Sequence, residues 1–137
     1  MICDSTSLNK YINKSSNIFF VFGSEIVLKN NSVDQINSFL NEQNFTEKKI
    51  ITEGDYSKIE NTIIENASGS LFGSKIIIEI GHQKGKIPKE IINIFEMKNI
   101  KEFNNIALII KSSIEKINKS TKWVKLMDSF GLMVECN

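Results

Sequence analysis

Arginine is absent. All 17 cationic side chains of the 137-residue chain are lysine, so it has no arginine finger and no bidentate guanidinium clamp of its own. Histidine occurs once, as His82 in the polar stretch GHQKGK, which reads as a solvated loop. With one histidine and no GxSxG before a helix, a nucleophilic triad cannot be assembled. The two cysteines, Cys3 and Cys136, stand at opposite ends of the chain without metal-ligand spacing and read as free thiols of a cytosolic protein. No apolar run approaches the roughly 18 residues a membrane span needs. The start, MICDSTSLNK, has no signal-peptide core. A cytoplasmic location is the default expectation. A net charge of +1 makes non-specific polyanion binding an unsuitable main design.

Hydrophobic residues make up 41% and charged residues 24% of the chain. That balance belongs to a folded globular protein, and the length allows one domain with one core. Five short apolar runs stand out: IFFVF from Ile18, KKIIT from Lys48, KIIIEI from Lys75, IALII from Ile106 and LMVEC from Leu132. The first, third and fourth are nearly continuous, the pattern of strands buried on both faces of a parallel sheet. Helical spacing fills the gaps. Val33, Ile36 and Leu40 share a face. Tyr56, Ile59 and Ile63 follow, behind a capping box at Ser57 and Glu60. Pro88 opens a third helix carrying Ile91, Ile92 and Phe95. A fourth carries Trp123, Leu126, Met127 and Phe130 and stops at Gly131. A short helix with Leu8, Tyr11 and Ile12 precedes strand one.

The strands recur at intervals of about 26 to 31 residues, the size of a βαβ unit. The expected fold is a three-layer α/β domain with five mainly parallel strands. The chain stops just after the fifth strand, so it reads as one domain of a longer protein.

A nucleotide would sit at the loop after strand one. That loop reads GSEIVLKNN, and against the Walker A pattern GxxxxGK[ST] it offers Gly23 alone. At the Walker B position Glu79 stands inside KIIIEI without the Asp-Glu pair that holds metal and water, and reads as a sheet-end carboxylate at the rim. A receiver-type phosphorylation domain fails too, for want of an Asp after strand three. The run KSSIEKINKSTKWVK places Lys111, Lys116, Lys119, Lys122 and Lys125 around one helix start. It could touch a nucleic-acid backbone, but acidic residues are interspersed and a solvated helix face accounts for it.

Between the second helical stretch and strand three lies ASGSLFGSK. Leu71 and Phe72 are adjacent large apolar residues, with Gly69 and Gly73 beside Ser70 and Ser74. Two residues side by side on a strand point to opposite faces. The pair is either a plug at the end of the core or an exposed apolar plug on a turn, offered to a partner's pocket.

IFFVFGSE near the start, SLFGSKIIIEI in the middle and ALIIKSSIEKINKSTKWVKLMDSFGLMVEC at the end, in this order and spacing, together resemble the N-terminal domain of the delta subunit of bacterial DNA polymerase III, the clamp-loader wrench. The resemblance spans nearly all of residues 17–137. It implies an AAA+-type (P-loop NTPase-like) fold whose nucleotide site has decayed. It also implies that Leu71 and Phe72 form a hydrophobic wedge entering a pocket of the sliding clamp, the ring-shaped beta subunit, with Ser70 positioning the wedge beside Gly69. Binding there loosens one ring interface so that the clamp opens around primed DNA. Family members often carry a bulkier residue where Gly69 stands and a glutamine where Ala67 stands; both departures leave the Leu-Phe pair intact.

On this reading residues 1–137 are a single clamp-binding domain, with the helical lid and collar domains outside this chain. The domain has no catalysis, cofactor or metal of its own. It serves a DNA-directed DNA polymerase holoenzyme, meets the other loader subunits through the parts outside this chain, and reaches DNA through the complex. The other class left open by the residues is a nucleotide-binding or hydrolysing α/β domain.

Overall fold

The structure, a computed structural model, describes residues 1–13, 17–67 and 74–137. Its centre is a sheet of β1 (Ile2–Asp4), β2 (Ile18–Phe22), β3 (Glu47–Ile51), β4 (Ile76–His82), β5 (Ile106–Ser112) and β6 (Leu132–Glu135). The spatial order is β1-β6-β2-β5-β4-β3, and every pairing is parallel. Among the described residues five α-helices flank it: α1 (Leu8–Tyr11), α2 (Ile26–Glu42), α3 (Ile59–Ala67), α4 (Lys89–Glu96) and α5 (Lys122–Phe130).

The sheet thus has six strands, not the expected five. The five apolar runs are β2 to β6. The addition is β1, three residues whose pairing with β6 matches Cys3 to Val134. ICD is too short to show a period, so only the ladder defines it.

Burial follows position in the sheet. All five residues of β2 are buried, because β2 lies between β6 and β5 and has helices over both faces. In β3, at the edge, only Ile51 is buried. On one face Phe20, Ile78, Leu108 and Met133 pack under α3, α4 and α5. On the other Phe19, Ile77, Ile109 and Val134 pack with Val33, Ile36 and Leu40 of α2. Each fully buried Phe or Ile contributes about 1.5–3 kcal/mol.

Two helix boundaries have specific causes. α2 ends where Asn44 takes the left-handed conformation, with φ 73°, and the Phe45 amide donates to the Leu40 carbonyl at 3.1 Å. α5 ends at Gly131, but not through a left-handed cap, since its φ is −125°. A Cβ there would lie 2.4 Å from Met127 Cε and 2.8 Å from the Ile18 carbonyl oxygen, so close packing selects the glycine. The expected capping box at Ser57 is replaced by a 3-10 stretch over Glu53–Lys58, and α3 starts only at Ile59. Among the described residues no helix is long and apolar enough to cross a membrane.

Candidate functional site

Parallel strands place their loops at two ends of the sheet. At the end where strands finish, the β2–α2 loop occupies the place where α/β folds hold phosphates. Here its amides are already engaged. Gly23 N donates to the Ile114 carbonyl at 2.8 Å and Glu25 N to the Cys136 carbonyl at 3.0 Å. Ser24 N donates to Asn137 Oδ1 at 2.8 Å. The first turn of α2 is capped by a carboxylate, with Glu25 Oε1 accepting from Val27 N at 3.0 Å. A negative oxygen from the chain itself thus sits at the helix N-terminus, where a phosphate would bind.

Against the Walker A pattern the loop matches at Lys29 as well as at Gly23, which corrects the reading that Gly23 stands alone. Lys29 stands six residues after Gly23, the spacing of the Walker lysine, with Leu28 in place of the second glycine. Its ammonium is buried, and Nζ donates to the Ser112 carbonyl at 3.3 Å. Burial, and then the nearby Lys111 charge, lower its pKa. Lys111 in turn bonds Asn30 Oδ1. Scanning for the lysine alone at this spacing finds Lys29; insisting on the whole motif hides it.

Glu79 is not at the rim. It lies within β4, opposite Ile50 and Ile109, and forms a 3.1 Å ion pair with Lys48. His82 is not in a solvated loop either. It is the last residue of β4 and only 3% exposed, with Nδ1 2.9 Å from Ser112 Oγ. β4 runs on past its apolar stretch because Gly81 and His82 pair with Lys111 and Ser112. No group of three or more potential metal ligands gathers among the described residues. Both cysteines are free, as expected, and both are buried.

At the opposite end of the sheet, α3 finishes and β4 begins. Gly69, Ser70, Leu71 and Phe72 lie outside the described residues. Their two flanks are anchored. The Asn66 carbonyl accepts from Asn105 Nδ2 at 2.6 Å, which ties the end of α3 to the start of β5. Lys75 Nζ donates to the Gln43 carbonyl at 3.1 Å and lies 5.2 Å from the Phe45 ring centre. Just before the segment, Ile64 of α3 is 50% exposed. A cleft of about 330 Å³ opens between the 3-10 stretch, α3 and α4, lined by Tyr56, Glu60, Glu90, Asn93 and Met97 among others.

The predicted basic helix face is not one element. Lys111 lies in β5, Lys116 and Lys119 in an irregular stretch, and only Lys122 and Lys125 on α5.

Comparison with known proteins agrees with this architecture. A Bacillus subtilis DNA clamp loader delta protein (YqeN) superposes with a TM-score of 0.64 at 12% identity, covering 96% of this chain and 42% of that one. Caenorhabditis elegans PCH-2 superposes with a TM-score of 0.54, also at 12% identity, covering 96% of this chain and 36% of that one. Both likenesses concern the fold, and the chain spans about two fifths of the length of these structures. A search of curated protein sequences gives no match. The family described as "DNA polymerase III, delta subunit" matches residues 19–137. That match runs from the second residue of β2 through β6 with every loop between them, and the chain belongs to the delta-subunit family of DNA polymerase III.

Proposed function

We propose that this chain is the clamp-binding domain of a replication clamp loader, a non-catalytic part of the DNA polymerase III assembly working in the cytoplasm. Leu71 and Phe72 enter a pocket on the sliding clamp, Ser70 and Gly69 shape the turn that presents them, and binding promotes ring opening. The other loader subunits are its neighbours, and DNA is reached through the complex. The core is of AAA+ type with a nucleotide site that no longer works.

Family membership over residues 19–137 carries this reading. The anchored flanks support it, because a wedge transmits force only from a fixed base. For the lost nucleotide site the support is the filled loop: the amides of Gly23, Ser24, Glu25 and Val27 all have acceptors from the chain itself. Lys29 is the one residue that favours the competing nucleotide-binding reading. Its ammonium already has a carbonyl partner, that of Ser112, and is buried.

The test is paired measurement on a Leu71→Ala, Phe72→Ala double variant. An exposed wedge contributes about 3–6 kcal/mol to binding, so clamp affinity falls by two to four powers of ten while the melting temperature barely moves. A core plug gives the opposite result, because each truncation then costs about 2–5 kcal/mol of stability. A large drop in melting temperature, or unchanged clamp affinity, overturns the assignment of the site.

A further inference from the structure

The carbonyl of Asn66 and the amide of Ile76 stand on either side of residues 67–75, and both end on one residue. Asn105 Nδ2 donates to the Asn66 carbonyl at 2.6 Å. The Asn105 carbonyl accepts from Ile76 N at 2.9 Å. The two bonds differ in kind. Ile76 opens β4, and its bond is the rung that precedes the pairing of Ile76 with Ile106; any residue at position 105 supplies that carbonyl. The bond to Asn66 depends on the side chain. Asn66 is the second-last residue of α3, so its carbonyl belongs to the last four, for which a helix supplies no partner. Its own side chain is engaged elsewhere, with Nδ2 donating to the Thr62 carbonyl at 2.7 Å. Asn105 itself is half-buried. The return flank is held independently: Glu47 N donates to the Lys75 carbonyl at 3.3 Å, and Lys75 Nζ to the Gln43 carbonyl.

We propose that Asn105 is a positioning residue for clamp binding, holding the start and the end of this segment on a common base. The inference rests on the reading of Leu71 and Phe72 as the clamp-binding pair. It adds that their affinity depends on a hydrogen bond made by the residue before β5. Joining the ends of a loop costs entropy. With the Asn105 donor in place, that cost falls on folding. Without it the Asn66 carbonyl loses its partner and the last turn of α3 opens more readily. Part of the ordering cost then falls on binding, and affinity drops although no group facing the clamp has changed. The body of α3 keeps its place, because Ile59, Thr62 and Ile63 are buried farther back on it.

The experiment measures three things on the full chain: affinity for the purified sliding clamp, melting temperature, and hydrogen exchange of the free protein. Asn105→Ala is compared with the parent, with Asn105→Gln, which keeps the donor on a longer arm, and with Asn37→Ala. Asn37 makes the same kind of bond on α2, across the sheet, with Nδ2 donating to the Val33 carbonyl at 3.1 Å. Asn105→Ala should weaken clamp binding about three- to tenfold, the effect of one lost hydrogen bond. Amides of residues 66–76 should exchange faster by a similar factor, with the rest of the chain unchanged. Asn105→Gln should recover most of the affinity, and Asn37→Ala should bind within about twofold of the parent. The inference is overturned by parent-like affinity of Asn105→Ala, by equal weakening in Asn37→Ala, or by weakening in Asn105→Gln as large as in Asn105→Ala. It is also overturned by a melting temperature of Asn105→Ala far below that of Asn37→Ala, and by weaker binding without faster exchange at 66–76, which makes Asn105 a direct contact. A Leu71→Ala, Phe72→Ala variant run alongside separates the two readings: if it binds like the parent, the pair is not the clamp site, and this inference falls for that reason instead.

Discussion

At Gly23 a single added methyl group would meet a wall. A Cβ there lies 2.1 Å from the Cys136 carbonyl oxygen, at a φ of +130° that side chains avoid. Gly23→Ala should cost more than about 3 kcal/mol, strain and clash together, and lower the melting temperature by many degrees. Gly81→Ala, with no atom within 4 Å of the new Cβ, should be neutral or slightly stabilising in the same thermal scan. Lys29 gives a sign test. Its pKa is lowered in the folded state from 10.5, first by burial, so the unfolded chain binds its proton more tightly. This site therefore costs stability at neutral pH, and that cost lifts as pH rises from the lowered value toward 10.5. Lys29→Met should raise the melting temperature at pH 7, and the gain over the parent should shrink as pH climbs through that window. The thiols complete the residue scale. Burial, then Asp4, pushes the Cys3 thiol up to about 11, and burial raises Cys136 as well. Native Cys3 then has a thiolate fraction about a hundredfold below that of an ordinary thiol at pH 8. Alkylation of both cysteines should be slow in the native protein and rapid in urea; fast native labelling would show that the β1–β6 edge opens readily.

Helix α5 is the element on which the aromatic core closes. Trp123 packs 5.3 Å from Phe20 of β2 and stacks on Phe95 of α4 with an interplanar angle of 18°. Removing it opens the seam between two helices and the sheet, so Trp123→Phe should be tolerated and Trp123→Ala should cost about 3 kcal/mol. Because Trp123 is the only tryptophan, its fluorescence change and the loss of circular dichroism should coincide on unfolding of the parent protein. At this scale much was legible in the residues. Continuous apolar runs marked β2, β4 and β5 as central strands, since both faces of those strands are covered. The 3.6-residue period found the buried stripe of α2. What escaped has local causes. β1 is shorter than any period. The end of β4 looks polar because Gly81 and His82 owe their place to β5. The start of α3 is a 3-10 stretch although Ser57 and Glu60 have the spacing of a cap.

For the whole molecule the decisive measurement is calorimetry with Mg-ATP. The filled β2–α2 loop leads to no heat of binding and no hydrolysis; a dissociation constant in the low micromolar range would revive the nucleotide-binding reading. A thermal scan with nucleotide should likewise show no rise in melting temperature, because a ligand stabilises only the state it binds.

The class of fold was written in the chain itself. Hydrophobic period, strand spacing and the order of its motifs are local quantities, and they sufficed for a parallel α/β domain of the delta-subunit type. Strand order and the acceptors that take up the amides of the β2–α2 loop were not local. Asn137 reaches Ser24 across 113 positions, and Ser113 reaches Gln83 across 30. Parallel strands pair only after a helical crossover, so residues distant in the chain become neighbours at the strand ends. Which amides are taken up is decided there, by tertiary structure alone.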